Sequence, residues 1–120
     1  MDLELQKLLY KLFADLPFDF VDGVQDVAFP YGAFGYSTNI ELNTKTTRGN
    51  LVSIQLDLFS NYNGQKEVKE MEEQVLNCLQ STPLLINSRP VILDSWNFQV
   101  IHESANKIYH GVLELEFKIY

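Results

Sequence analysis

The chain has two histidines, His102 and His110, with Glu103 beside the first. Imidazole and carboxylate together can hold a metal ion or exchange protons, provided the fold brings them to one point. Their neighbours argue against that. Trp96, Phe98 and Val100 alternate as one face of a strand, and Leu113, Leu115, Phe117 and Ile119 alternate in the last segment. Matching these faces pairs Trp96 with Phe117, Phe98 with Leu115 and Val100 with Leu113, and leaves His102 and His110 on opposite sides of the sheet. A one-residue slip would unite them only by turning the whole apolar set to water; otherwise a bulge is needed. Two ordinary hairpin histidines are the expectation.

Other reactive residue types fare no better. Gly35-Tyr-Ser-Thr-Asn39 resembles a nucleophile elbow, but its last position is Asn39 and its serine sits inside a strand pattern. Gly32 and Gly35 lack the spacing and the following helix of a phosphate-binding loop. Cys78, the one cysteine, lies on an apolar helical stripe and reads as a small core residue that can form no internal disulfide. This suits a reducing compartment. Glu67, Glu70, Glu72 and Glu73, mixed with Lys66 and Lys69, read as a solvated helix face. No catalytic, cofactor or metal residue is assigned, and the chain is not expected to be an enzyme. What stands out is apolar: Phe18, Phe20, Phe29, Tyr31, Phe34 and Tyr36 crowd one region. Either they fill the core, or several belong to a subunit interface, where aromatics are enriched.

The elements that position these residues are legible from periodicity. Leu51 to Phe59 alternates, with Val52, Ile54, Leu56 and Leu58 on one side and Ser53, Gln55 and Asp57 on the other, as a half-buried strand does. After a break at Asn61-Tyr-Asn-Gly64, Val68, Met71, Val75, Cys78 and Leu79 recur at helical spacing. Leu5, Leu8, Leu9, Leu12, Phe13 and Leu16 mark a leading helix that Pro17 stops. Phe18 to Tyr31 reads as a long ordered connection. Phe34, Tyr36, Thr38, Ile40 and Leu42 alternate as a strand, joined to the Leu51 strand by a long hairpin loop with a polar tip, Asn43 to Asn50. Pro83 and Pro90 punctuate a link, and Ser104 to Ile108 turns the chain between the last two strands. The expected fold is α+β, an antiparallel sheet of about four strands with two helices packed on one face, in a single domain over residues 1–120.

Composition narrows the partners. At 46% apolar and 21% charged the chain is globular, with no tract long enough to span a bilayer and, at Leu3 to Leu16, no continuous signal-peptide core. Neither secretion nor membrane contact is expected. Nine basic against sixteen acidic residues leave a net charge of −7, which repels phosphate backbones and removes the main driving term for nucleic-acid binding.

The order of these features resembles the tail-completion, or tail-terminator, family of head-tail joining proteins from phages with long non-contractile tails. The resemblance runs along nearly the whole chain: a leading helix ending in Leu16-Pro17, Val27-Ala-Phe-Pro30, Phe34-Gly-Tyr36, Leu51 to Tyr62 flowing into an acidic helix through Cys78, and Ile108-Tyr-His-Gly-Val-Leu-Glu-Leu-Glu-Phe-Lys-Ile-Tyr120. The closing strand after Tyr109-His110 is its most specific part. The resemblance implies a virion structural protein of a phage or prophage, with no cofactor. Such a protein caps the tail tube as a hexameric ring and joins the tail to the head-completion connector. Its implied partners are further copies of itself, the major tail tube protein and the connector, with DNA passing the lumen unbound. It implies a place in the host cytoplasm during assembly and then at the neck end of the virion tail. The expected subunit or tail-tube interface comprises Lys45, Thr46, Thr47 and Arg48 at the hairpin tip, with Phe29, Tyr31, Phe34 and Tyr36. The competing class is a small intracellular adaptor that uses the same aromatic patch.

Overall fold

A computed structural model describes residues 2–22, 28–43 and 48–120. The leading helix α1 spans Asp2–Leu12 and tightens into a 3-10 turn, Phe13–Asp15. The strands are β1 (Asp19–Asp22), β2 (Tyr31–Asn43), β3 (Arg48–Ser60), β4 (Leu84–Ile86), β5 (Arg89–Glu103) and β6 (Ile108–Ile119); helix α2 (Lys66–Ser81) follows β3. They form one sheet in the order β1-β2-β3-β6-β5-β4. The α+β class and the two helices on one face match the sequence reading. The sheet differs in having six strands and in being mixed, because β1 runs parallel to β2.

Both added strands lie where the sequence reads as connection. The Phe18–Tyr31 stretch contains β1, only four residues long, too short to show a period. The Ser81–Asp94 link contains β4, which turns into β5 through Asn87 and Ser88, both at positive φ. A two-residue hairpin turn of type I′ needs that backbone at both positions. Asn-Ser lacks the glycine that normally announces it, so the turn is silent in the sequence.

The core lies between the sheet and the helices. Val52, Ile54, Leu56 and Leu58 of β3 and Leu113, Leu115, Phe117 and Ile119 of β6 are all buried, and they face each other across the central strand pair. Leu5, Leu9 and Phe13 cover them from one helix; Val68, Met71, Val75, Leu76 and Leu79 cover them from the other. Two bulges redirect the flanking strands. Between Phe34 and Ser37 the register of β2 shifts, so Phe34 pairs with buried Leu56 whereas Thr38 and Ile40 pair with Ser53 and Leu51 on the other face. The single alternating face inferred from Phe34 to Leu42 is therefore two half-faces. A second shift, between Leu93 and Ser95, separates the two halves of β5.

Helix α2 starts without a side-chain cap at Gln65. It is tied down instead by Ser60, fully buried at the end of β3, whose Oγ donates to Glu67 Oε1 at 2.7 Å and accepts from the Tyr62 amide at 3.1 Å. Glu67 is thus a structural acceptor and Glu72 is half-buried, so of the four only Glu70 and Glu73 are fully on the solvated face; Glu70 lies 3.9 Å from Lys66.

Where α2 meets the sheet, Gly111 leaves room for two side chains. A Cβ there would meet Phe98 Cε1 and Val68 Cγ2, each at 2.8 Å. Gly111→Ala is expected to overpack this contact and cost about 1–3 kcal/mol, seen as a lower urea midpoint at unchanged m-value.

Candidate functional site

The outer face of the sheet, opposite the helices, carries the aromatic row. Tyr31 of β2, Phe59 of β3 and His110 of β6 are directly paired across the ladder, with Ile101 of β5 next in line. Phe59 stacks on Tyr31 with centroids 4.9 Å apart and on His110 at 4.5 Å; Phe29 closes the row on Tyr31 at 5.4 Å. All four are half-buried. Behind them Asp57 Oδ1 accepts from His110 Nε2 at 2.8 Å and from Gln55 Nε2 at 3.0 Å. The acceptor-only carboxylate assigns the proton to Nε2. Glu103 Oε1 stands 3.9 Å from the other ring nitrogen. Gly35 approaches so closely that a Cβ would lie 2.6 Å from Asp57 Oδ2.

What this arrangement does is orient a ring. No serine, threonine or cysteine among the described residues hydrogen-bonds His110, so the Asp57–His110 pair has no nucleophile to activate. No three of His, Cys, Asp and Glu among the described residues converge on a metal position. His102 stacks on Tyr109 at 4.3 Å on the helix-side face. The two histidines do lie on opposite faces, although the inferred register was out by two residues: Phe98 pairs with Leu113, and Trp96 with Leu115. A shift of two preserves the face of every side chain, so the histidines stay on opposite faces in either register.

The structure divides the eight residues expected at an interface. Phe29 and Tyr31 belong to the outer aromatic row. Phe34 does not: it is 7% exposed, its ring packed against Phe13 and Phe20, and it belongs to the core. Tyr36 sits in the bulge of β2 and is 68% exposed. Arg48 is exposed at the start of β3; Lys45, Thr46 and Thr47 lie outside the described residues. The sequence reading did not place Phe59 at the site, and weighed His110 only as a metal or proton-exchange candidate. Phe59 shares the outward parity of Ser53, Gln55 and Asp57, and an aromatic ending a polar face was the available signal.

A second feature is a groove of about 440 Å³ between α1 and β1, lined by Leu3, Lys7, Tyr10 and Lys11 above and Val21 and Asp22 below. Burial, and then the charge of Asp15, push the Cys78 thiol above its ordinary range.

Among the described residues the site is thus an aromatic row on the outer face of an α+β sheet whose two edge strands are each only partly paired. The family model for tail completion protein gp17 matches residues 11–120, and the chain belongs to that family of structural phage tail proteins. No curated protein matches the sequence. Among solved structures, the fold is similar to a chain in the virion of a native gene transfer agent particle (TM-score 0.78, 15% identity, covering 96% of this chain and 93% of that one). It is also similar to the gp17 protein of bacteriophage SPP1 (TM-score 0.70, 19% identity, 99% and 91%).

The Cys78 assignment has a measurable consequence. A raised thiol pKa keeps the group neutral to higher pH, so iodoacetamide should label the native protein more slowly than the urea-unfolded chain throughout neutral and mildly alkaline pH. The stability linked to this group is present below the unfolded thiol pKa and is lost as pH rises through the raised folded value.

Proposed function

We propose that this chain is a virion structural protein that ends the tail tube and joins the tail to the head connector, working as a hexameric ring. The observation that carries the reading is the family match over residues 11–120, and a fold shared with a chain of an assembled virion is consistent with it. Ring formation requires two different surfaces on each protomer. The two ends of the sheet are candidates, since β1 and β4 are unlike in length and direction.

The partners follow as further copies of the chain, the tube protein below and the connector above. The molecule is elongated, 52 × 24 × 23 Å, and the β2–β3 hairpin runs past the end of β6, which pairs no further than Asn50. Its base is braced by Arg89, which donates to Asn50 Oδ1 at 3.5 Å and to the Ile119 carbonyl at 3.4 Å. A braced hairpin suits a reach toward the tube or a neighbouring subunit, with Lys45 and Arg48 as its basic residues. The net charge of −7 suits a lumen through which DNA slides without sticking. During assembly the protein is in the host cytoplasm, and afterwards at the neck end of the tail.

Native mass spectrometry across a concentration series tests the ring: a six-subunit species is expected, and a different closed number would overturn the stoichiometry. Complementation of a deletion mutant in the producing phage or prophage tests the role. Wild type should restore joined particles, while Lys45→Glu with Arg48→Glu should leave tails unjoined and infectivity lost; full activity of that double variant would remove the hairpin from the interface.

A further inference from the structure

The two edges of the sheet are incomplete in complementary ways. At one end, β4 covers β5 only at Arg89–Val91, so Ile92–Glu103 has no neighbour on that side among the described residues. At the other end, β1 covers β2 only at Tyr31–Phe34, and Gly35–Asn43 has no strand on that side among the described residues. Across the ladder, Val91 is in line with Ile119, Asn50 and Glu41, whereas Ile101 is in line with His110, Phe59 and Tyr31. The short strands therefore sit at diagonally opposite corners. Where one edge projects through β1, the other is recessed beside Phe98–Ile101; where one projects through β4, the other is recessed beside β2. In the ladder register, the short strand of each edge falls in the rows where the other edge is open, on a sheet that curls until β4 also reaches α1.

The recessed edge also lacks protection. Isolated edge strands are normally guarded by lysine, proline or inward charge. Ser95-Trp-Asn-Phe-Gln-Val-Ile101 has none of these. Trp96 is paired with fully buried Leu115 on the helix-side face, yet remains 46% exposed; Ile101 on the other face is 47% exposed.

Charge favours the same seam. Above β1, the outer flank of α1 presents Lys7 and Lys11 over the groove. On α2, Glu67 turns toward Ser60 of β3, and Cys78 lies within the field of Asp15, so the opposite flank, Glu72 and Leu76, faces β5. Glu72 makes no hydrogen bond or ion pair among the described residues, and burial and Glu73 hold its carboxyl above the ordinary range. A cationic helix flank from a neighbour would relieve it.

We propose that the open edge of β5, Ser95–Glu103, receives β1 of a second copy in antiparallel pairing, so that copies join head to tail into one continuous sheet. β5 runs antiparallel to β6 and β1 runs with β2, so the two strands meet antiparallel without inverting either protomer. This deepens the ring reading and rests on it, since head-to-tail contacts close only by rotation.

Disulfide trapping in a Cys78→Ser background tests the seam. Asp19 and Ile101 occupy the same cross-sheet row on the outer face, and both are exposed. Asp19→Cys with Ile101→Cys should give, on mild oxidation, a ladder of linked multimers, and a mixture of the two single variants should give the hetero-linked dimer. A neighbouring row, Val21→Cys with Gln99→Cys, allows for a register two residues away. If native mass spectrometry shows a ring and neither pair links, the ring stands and this seam is wrong. If Ile101→Cys alone yields dimers, the edge pairs with itself and the proposal falls. If the protein is monomeric at its highest soluble concentration and nothing links, both readings fail for the free protein. As a second variant, Asn97→Lys places a charge on the open edge; assembly should weaken at least tenfold, about 1.4 kcal/mol, at unchanged melting temperature. Unchanged assembly would overturn the proposal.

Discussion

The pairing of β3 with β6 is the interaction on which the rest of the molecule depends. It runs without a break from Asn50–Ile119 to Ser60–Tyr109, and its helix-side residues include Val52, Leu56, Leu58, Leu113, Leu115 and Phe117, none of which retains exposed surface. Each such residue contributes a few kcal/mol against leaving it in water. A slip of one residue would move them all to the wrong face, so this pair fixes the register, and both helices dock on the surface it creates.

Everything outward from that pair is less regular, and the irregularities have functional weight. The bulge at Gly35–Tyr36 lets β2 give Phe34 to the core and Ile40 to the outer face within one strand. It also places Gly35 against Asp57 and leaves Tyr36 exposed. The shift at Asp94 likewise divides β5, and there Asp94 meets Lys118 at 3.4 Å. Bulges at sheet margins bend a strand and end regular pairing.

The outer face has a division of labour along its length. Its middle is polar, with Ser53, Gln55, Glu114 and Glu116, and one end carries the row from Phe29 to His110. Stacked aromatics across three strands stiffen a sheet face. The Asp57–His110 bond holds the terminal ring in that row. The same pair in a pocket beside a hydroxyl would suggest catalysis; here it positions a surface. Chemistry depends on what a side chain faces, and these residues face one another.

The sequence by itself determined the α+β class, both helices, the four long strands and the opposite placement of His102 and His110. Each rests on a local period repeated over many residues, which burial on one side enforces and which the chain therefore displays. It also determined the family, through the order of segments from Leu16-Pro17 to the closing strand. Only the tertiary structure decided that Phe34 is core and Phe59 is surface, that β1 and β4 complete the sheet, and that Asp57, far from His110 in the chain, bonds it. Strands of three or four residues carry no measurable period, a bulge inverts parity without changing composition, and a turn at Asn87-Ser88 lacks its usual glycine. Contacts of that kind depend on which strands become neighbours, and that choice is made by the whole core at once.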